Sequence, residues 1–354
     1  MSDEMRVGLI GAGRIGRVHA QTLTRSLPGV TLLGVADVRE PAAKSLAEEL
    51  GVPWWGADYR RLLDDPRIGA VLICSSTDTH AGLIVEAAEA GKHIFCEKPI
   101  ALDLAQTDRA IAAAGAAGVK LQIGFNRRFD AGFRRVHELV FAGAVGAVHL
   151  LHIISRDPEP PPLEYVRVSG GIFLDMTIHD FDMARFLVGS EIEEVMAVGA
   201  VLVNPGIGEA NDVDTALVTL RFANGALGVI DNSRRAVYGY DQRVEVFGSR
   251  GSAQADNSTA TSAALLDAGG RHTDKPLHFF LERYAAAYTA ELQAFCQALK
   301  NDCEPLVAGC DGRAALLAGL AATRSLKEGR PVRLAEVDGE WRRSHSGTGN
   351  GARA

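Results

Sequence analysis

Three short stretches of the chain carry the residue types that chemistry needs. The first is Gly11-Ala12-Gly13-Arg14-Ile15-Gly16, a turn suited to a pyrophosphate. Gly11 permits the tight turn, Gly13 lets the backbone approach the phosphates, and Gly16 lets the following helix pack close to the preceding strand. The helix N-terminus adds unpaired N–H groups and a partial positive charge. A second strand-like run ends in Asp37, about twenty residues on, where a carboxylate accepts from ribose hydroxyls and repels a 2′-phosphate. NAD is therefore expected over NADP, although Arg39, two residues later, could pair with that phosphate if its loop moved.

The second stretch is Glu97-Lys98-Pro99. A residue before proline is biased toward extended backbone, and ligands of parallel α/β sheets sit at strand carboxyl ends. An ammonium there would stabilise a developing alkoxide. In the third stretch, Asp175 and His179 have the spacing that puts two side chains on one helix face. An imidazole titrates near neutrality and suits the task of taking a hydroxyl proton. A carboxylate beside it holds the ring and stabilises the imidazolium. Asp182 shares that face and is expected to bind substrate or support the histidine. Oxidation of a secondary alcohol needs these parts: a hydride acceptor and a base.

Such groups must be held by strands that end together. Runs at 6–10, 32–36, 70–74, 93–96 and 120–123 are aliphatic and read as buried strands, with amphipathic helical stretches at 41–50, 80–90 and 104–117 between them. This alternation implies a parallel sheet with right-handed crossovers, a Rossmann-type dinucleotide-binding domain over 1–125. After Phe125 the rhythm changes. One helix (131–142) precedes strands at 148–155, 194–203, 214–222, 226–233 and 242–247, with Asn224-Gly225 as a hairpin signal. Helices at 280–300 and 311–327 follow. The expectation is an α/β domain followed by an α+β domain over 126–335 built on an open-faced, mostly antiparallel sheet, and a disordered tail over 342–354.

Composition bounds the rest. A chain of 354 residues exceeds what one core usually serves. The net charge of −7 is spread along the chain and argues against a nucleic-acid partner. No apolar run approaches the roughly 20 residues needed to span a bilayer, and the first residues do not resemble a signal peptide, so a cytoplasmic location is expected. The five cysteines are scattered and read as reduced, mostly buried thiols. His149 and His152 fall on opposite faces of a strand; they, Trp54, Trp55 and His19 read as structural, and no metal is expected.

The segment Ala90-Gly91-Lys92-His93-Ile94-Phe95-Cys96-Glu97-Lys98-Pro99 resembles the signature strand of the glucose–fructose oxidoreductase/inositol dehydrogenase/MocA family. Gly170-Gly171-Ile172-Phe173-Leu174-Asp175-Met176-Thr177-Ile178-His179-Asp180-Phe181-Asp182 is similar to that family's catalytic helix. Gly124-Phe125-Asn126-Arg127-Arg128-Phe129-Asp130 and Tyr238-Gly239-Tyr240-Asp241-Gln242-Arg243 resemble its inositol-oxidising members. The likeness runs from Val7 to about Leu334. It implies that Lys98, Asp175 and His179 are the catalytic residues and that the Lys98–Pro99 peptide is cis.

The cofactor set expected from the loop and the resemblance is Gly11, Gly13, Arg14, Ile15, Gly16, Asp37, Val38 and Arg39, with Ser75, Thr77, His80, Glu97 and Lys98. Lys98, Asp175 and His179 are expected to touch substrate too, joined by Arg128, Asp157 and Tyr238, with Tyr240 and Arg127 as further candidates. The implied reaction is NAD-dependent oxidation of one ring hydroxyl of a cyclic polyol, foremost myo-inositol to its 2-keto derivative. Another inositol isomer, an aldose, an anhydrosugar or a glycoside would use the same core residues. A sensor or repressor that binds NAD without turnover is the alternative of a different class. The resemblance also implies a homotetramer packed through the open sheet.

Overall fold

The aliphatic runs of the first half pair as a six-stranded, all-parallel sheet: β1 (Met5–Ile10), β2 (Val30–Ala36), β3 (Trp54–Gly56), β4 (Ala70–Ile73), β5 (His93–Glu97) and β6 (Leu121–Gly124), in the order β3-β2-β1-β4-β5-β6. Such strands are covered on both faces, which is why they read as continuous apolar runs; Val7, Leu9, Ala70 and Phe95 are each 0% exposed. The strand order reverses between β1 and β4, so a crevice opens at their carboxyl ends. The computed structural model describes residues 4–345, and the chain divides into two compact units, Met1–Phe129 with Ala286–Ala314, and Asp130–Ala285 with Ala315–Ala354.

The division departs from the expected one. The helix Ala285–Lys300, expected within a continuous 126–335 domain, contributes to the first unit. Its Leu292 and Phe295 belong to the same buried cluster as Leu9, Leu72 and Phe95. Full burial of side chains this large contributes about 1.5–3 kcal/mol each. The helix is further tied down by Gln122 on β6, whose Nε2 donates to the Glu291 carbonyl at 3.0 Å.

The second unit is built on β7 (Val148–Arg156), β8 (Ile192–Ala200), β9 (Thr215–Phe222), β10 (Leu227–Ser233), β11 (Asp241–Gly248) and β12 (Gly251–Ala255). A separate hairpin, β13 (Ala264–Asp267) with β14 (Gly270–Thr273), was not anticipated, and β15 (Val332–Arg333) closes the large sheet in the order β12-β11-β7-β10-β9-β8-β15. Only β7 and β10 run parallel; the other neighbours are antiparallel. Gly225 takes φ +88° in the turn between β9 and β10, as Asn-Gly predicts.

Register separates the two faces of this sheet. Phe247, Leu150 and Leu227 lie side by side, as do Leu217 and Val198. All five are between 44% and 50% exposed. Their alternates Val246, Leu151, Val218 and Ala197 are buried. One face is thus a core and the other an open, partly apolar surface.

The first four residues of the expected tail, Arg342–His345, continue the helix Leu334–His345; residues 346–354 lie outside the described residues. Cys74 and Cys96 are buried and burial pushes both thiols well up. Cys303 and Cys310 are exposed, against the expectation that most are buried. Among the described residues no helix is long and apolar enough to cross a membrane.

Burial pushes the His80 imidazole down, and burial with the nearby Lys120 cation does the same at His93. Both rings therefore take up protons more readily in the unfolded chain. Stability from these sites is complete above the ordinary histidine range and falls as the pH drops through it. The thermal midpoint is expected to be lower at about pH 5.5 than at about pH 7.5; a midpoint that rises on acidification would contradict this burial effect.

Candidate active site

The glycine turn is tight for steric reasons. Gly11 has φ +102°, and a Cβ there would meet the Cys74 backbone at 2.5 Å. At Gly16 a Cβ would lie 1.9 Å from the Gly11 carbonyl oxygen. Gly13 differs: a Cβ there meets nothing within 4 Å, and the residue opens the helix Arg14–Arg25 with no side-chain cap. Open space over an uncapped helix start fits a pyrophosphate. Asp37 accepts from the Ala12 N–H at 2.8 Å through Oδ2 and from the Arg39 N–H at 2.8 Å through Oδ1. The carboxylate thus ties the end of β2 to the glycine turn and keeps lone pairs for a ribose. The residues present therefore fit NAD. Arg39 reaches back to Asp37 at 3.6 Å, Val38 is 88% exposed, and Arg14 and Ile15 form the first helical turn.

Lys98 follows directly on β5 and is half-buried, and its peptide with Pro99 is cis. Ser75 follows β4; its Oγ lies 2.6 Å from Thr79 Oγ1, and Thr77 starts the helix Thr77–Glu89. His80 on that helix is 2% exposed, with both ring nitrogens against backbone carbonyls. Its ring is committed inside the protein, with both nitrogens turned to the Pro99 and Ser75 carbonyls rather than to open space. Glu97 is likewise buried.

In the second unit, Asp175 ends the short helix Ile172–Asp175 and His179 lies in the first turn of the helix Thr177–Val188. One continuous helix was expected. The break falls at Met176 (φ −97°, ψ −60°), and the His179 N–H is 3.3 Å from the Met176 carbonyl. Both side chains are half-buried. Tyr165 donates to Asp175 Oδ1 at 2.8 Å, and Arg234 donates to Oδ2 at 3.0 Å. Arg234 is 1% exposed and lies 3.9 Å from Asp212, which in turn accepts from the Ile172 N–H at 3.0 Å.

The helix carrying His179 is anchored by a buried polar chain. Thr177 donates to Asn232 Oδ1 at 2.6 Å, and Asn232 donates to Asp180 Oδ2 at 2.8 Å and to the Ser155 carbonyl at 3.2 Å. Asp182, on the same helix, has 0% exposure. Sequence reasoning missed Tyr165, Asp180, Asp212, Asn232 and Arg234. The one available signal was the polar run Asn232-Ser233-Arg234-Arg235 ending a strand.

The expected substrate ligands are placed unequally. Asp157 extends the pairing of β7 and β10: its N–H donates to Ser233 and its carbonyl accepts from Ala236. This brings Asp157, the Arg234 turn and the Tyr238 loop together in one unit. Tyr238 is 39% exposed; its hydroxyl donates to Asp241 at 2.5 Å and accepts from Arg156 at 3.1 Å. Burial and the Asp241 carboxylate push its pKa up, which keeps it a neutral donor. Tyr240 is buried. Arg128 belongs to the first unit, where it pairs with Asp311 at 2.9 Å and is mostly buried, as is Arg127.

Residues 5–125 match the family described as an oxidoreductase family with an NAD-binding Rossmann fold, and residues 133–254 match the GFO/IDH/MocA C-terminal domain. A myo-inositol 2-dehydrogenase of Thermotoga maritima is 54% identical over 95% of this chain and 100% of its own. A scyllo-inositol 2-dehydrogenase (NAD(+)) of Bacillus subtilis is 39% identical over 94% of this chain and 97% of its own. Among solved structures, a myo-inositol dehydrogenase from Corynebacterium glutamicum superposes with a TM-score of 0.89 at 42% identity, covering 94% of this chain and 99% of that one. One from Lactobacillus casei, in complex with NAD(H) and myo-inositol, does so with a TM-score of 0.84 at 28% identity, covering 93% and 96%.

Proposed function

Because the chain belongs to the GFO/IDH/MocA oxidoreductase family, we propose that it uses NAD to oxidise one ring hydroxyl of an inositol, foremost myo-inositol to its 2-keto derivative. The observation that carries this reading is the end-to-end similarity to the Thermotoga maritima myo-inositol 2-dehydrogenase, together with Lys98, Asp175 and His179 in this chain. Likeness to the Bacillus subtilis scyllo-inositol enzyme keeps that isomer as the second candidate.

The chain's own residues divide the work. Bound NAD supplies the acceptor for the hydride of the reacting carbon. His179 takes the hydroxyl proton, and the Asp175 carboxylate stabilises the imidazolium so formed. Lys98 offers an ammonium to the developing alkoxide. Asp157 supplies an acceptor suited to a ring covered in hydroxyls, and Tyr238 offers a hydroxyl oxygen whose own proton is held by Asp241. Arg128 is kept as a substrate ligand only if its pairing with Asp311 yields when substrate binds.

Initial rates of NADH formation on a panel of inositols, aldoses and anhydrosugars, each with NAD and NADP, test the reading. Turnover of myo-inositol with NAD supports it, turnover confined to an aldose overturns the substrate, and NAD binding without turnover of any of them would restore the sensor. Replacing Asp37 with Ser is expected to raise KM for NAD, because Asp37 also holds the Ala12 N–H, and to narrow the preference for NAD over NADP. Unchanged kinetics with both cofactors would remove Asp37 from that role.

The open sheet face supports a homotetramer packed through Phe247, Leu150, Leu227, Leu217 and Val198, since apolar rows in register favour a matching surface. Light scattering that shows a monomer at working concentration would reject it. No nucleic-acid partner is proposed, and the reaction is assigned to the cytoplasm.

A further inference from the structure

Two buried histidines converge on the segment that carries Lys98. His19, on the helix Arg14–Arg25, is 0% exposed, and its Nε2 lies 2.6 Å from Glu97 Oε1. Phe95 and Tyr288 hold the ring edge-on, with centroids 5.0 Å and 5.6 Å away. Glu291 places a carboxylate oxygen within 4.8 Å of the same donor atoms. His19 Nδ1 has no hydrogen-bond partner among the described residues, which puts the ring's proton on Nε2, facing Glu97. The Glu97 carboxylate has little room to turn away, because Oε2 packs where a Cβ on Gly124 would sit, at 2.9 Å.

His80 engages the residue that follows Lys98. Its Nδ1 is 2.8 Å from the Pro99 carbonyl oxygen and its Nε2 is 3.1 Å from the Ser75 carbonyl oxygen. Both partners only accept, and a neutral imidazole carries one N–H. Burial disfavours a second proton, so the shorter contact marks the donor: Nδ1–H donates to Pro99.

The residue before Lys98 is therefore held by its side chain from the glycine-turn helix, and the residue after it by its carbonyl from the Ser75 helix. The geometry points to His19 and His80 as positioning residues that fix where the Lys98 ammonium stands. This rests on the reading that Lys98 acts on the substrate hydroxyl. A displacement of about 1 Å in an active site can cost on the order of 10²-fold in rate, so two hydrogen bonds flanking the lysine are enough to matter.

The test exploits the two ring nitrogens. A glutamine amide nitrogen sits near the place of Nε2, and an asparagine nitrogen near that of Nδ1. His19→Gln and His80→Asn keep the donor; His19→Asn and His80→Gln misplace it. With myo-inositol and NAD, the first two are expected to keep kcat within about threefold, and the second two to lose about tenfold or more. NAD affinity, read by protein fluorescence, is expected to change less than about threefold in all four.

Equal kcat within each pair would overturn the inference, since packing alone would then explain both rings. So would NAD affinity falling in step with kcat, which would assign the histidines to the cofactor turn. Folding of the donor-keeping variants alone, checked by thermal melting, would make the rings supports of the fold and overturn it too. Lys98→Ala is run in parallel: if it keeps its kcat, the reading of Lys98 fails, whereas its loss beside unaffected histidine pairs fails only the positioning.

Discussion

Changing His179 to Ala is expected to lower kcat by about 10²-fold or more, the range that loss of a general base produces. His179 stands in the first turn of a helix whose anchors are Thr177, Asn232 and Asp180, none of which the substitution touches. The helix should therefore persist, and the loss should be chemical rather than structural. NAD affinity should hold, because the glycine turn and Asp37 belong to the other unit. The ordinary titration of an imidazole near neutrality suits a proton acceptor at working pH. A turnover number close to the parent's would move the base to another residue, with Lys98 first in line.

Replacing Arg234 with Met is expected to have the largest effect on stability. The guanidinium is 1% exposed and donates to Asp175 at 3.0 Å. Removing one member of a buried pair leaves the other charge uncompensated, at a cost of about 3–5 kcal/mol. The lower figure applies here, because Asp175 keeps the Tyr165 hydroxyl and some solvent contact. Urea denaturation should show a lower midpoint at unchanged slope. kcat should fall as well, since Asp175 loses the group that aims one of its oxygens. A midpoint within the error of the parent's would mean that the pair contributes nothing to stability.

How much of this could be read in advance divides by distance along the chain. The glycine turn, Asp37 and the Lys98–Pro99 corner are local signatures, with glycines and a proline doing things few other residues can do. The sheet alternation was legible for the same reason, because buried parallel strands have few ways to be written. Arg234 was not, since its partners Asp175 and Asp212 lie far off in sequence and no period connects them. The pairing of Arg128 with Asp311 was hidden in the same way, across 183 positions. Met176 broke an expected helix because i, i+4 spacing reports a shared face and not an unbroken ladder. The helix Ala285–Lys300 was found but misplaced: amphipathicity says that a helix packs, not what it packs on.

That helix sets an order of events during synthesis. The strands of the parallel sheet are all translated by residue 129, yet Leu292 and Phe295 complete their core only after Ala286–Ala314 has emerged. At the usual elongation rate of about 5–20 residues per second, the delay is roughly ten seconds or more. For that interval the nascent chain carries an unfinished apolar surface on the ribosome, open to chaperones and to misassociation with its neighbours. The nucleotide-binding half, first to be made, is thus among the last to be finished.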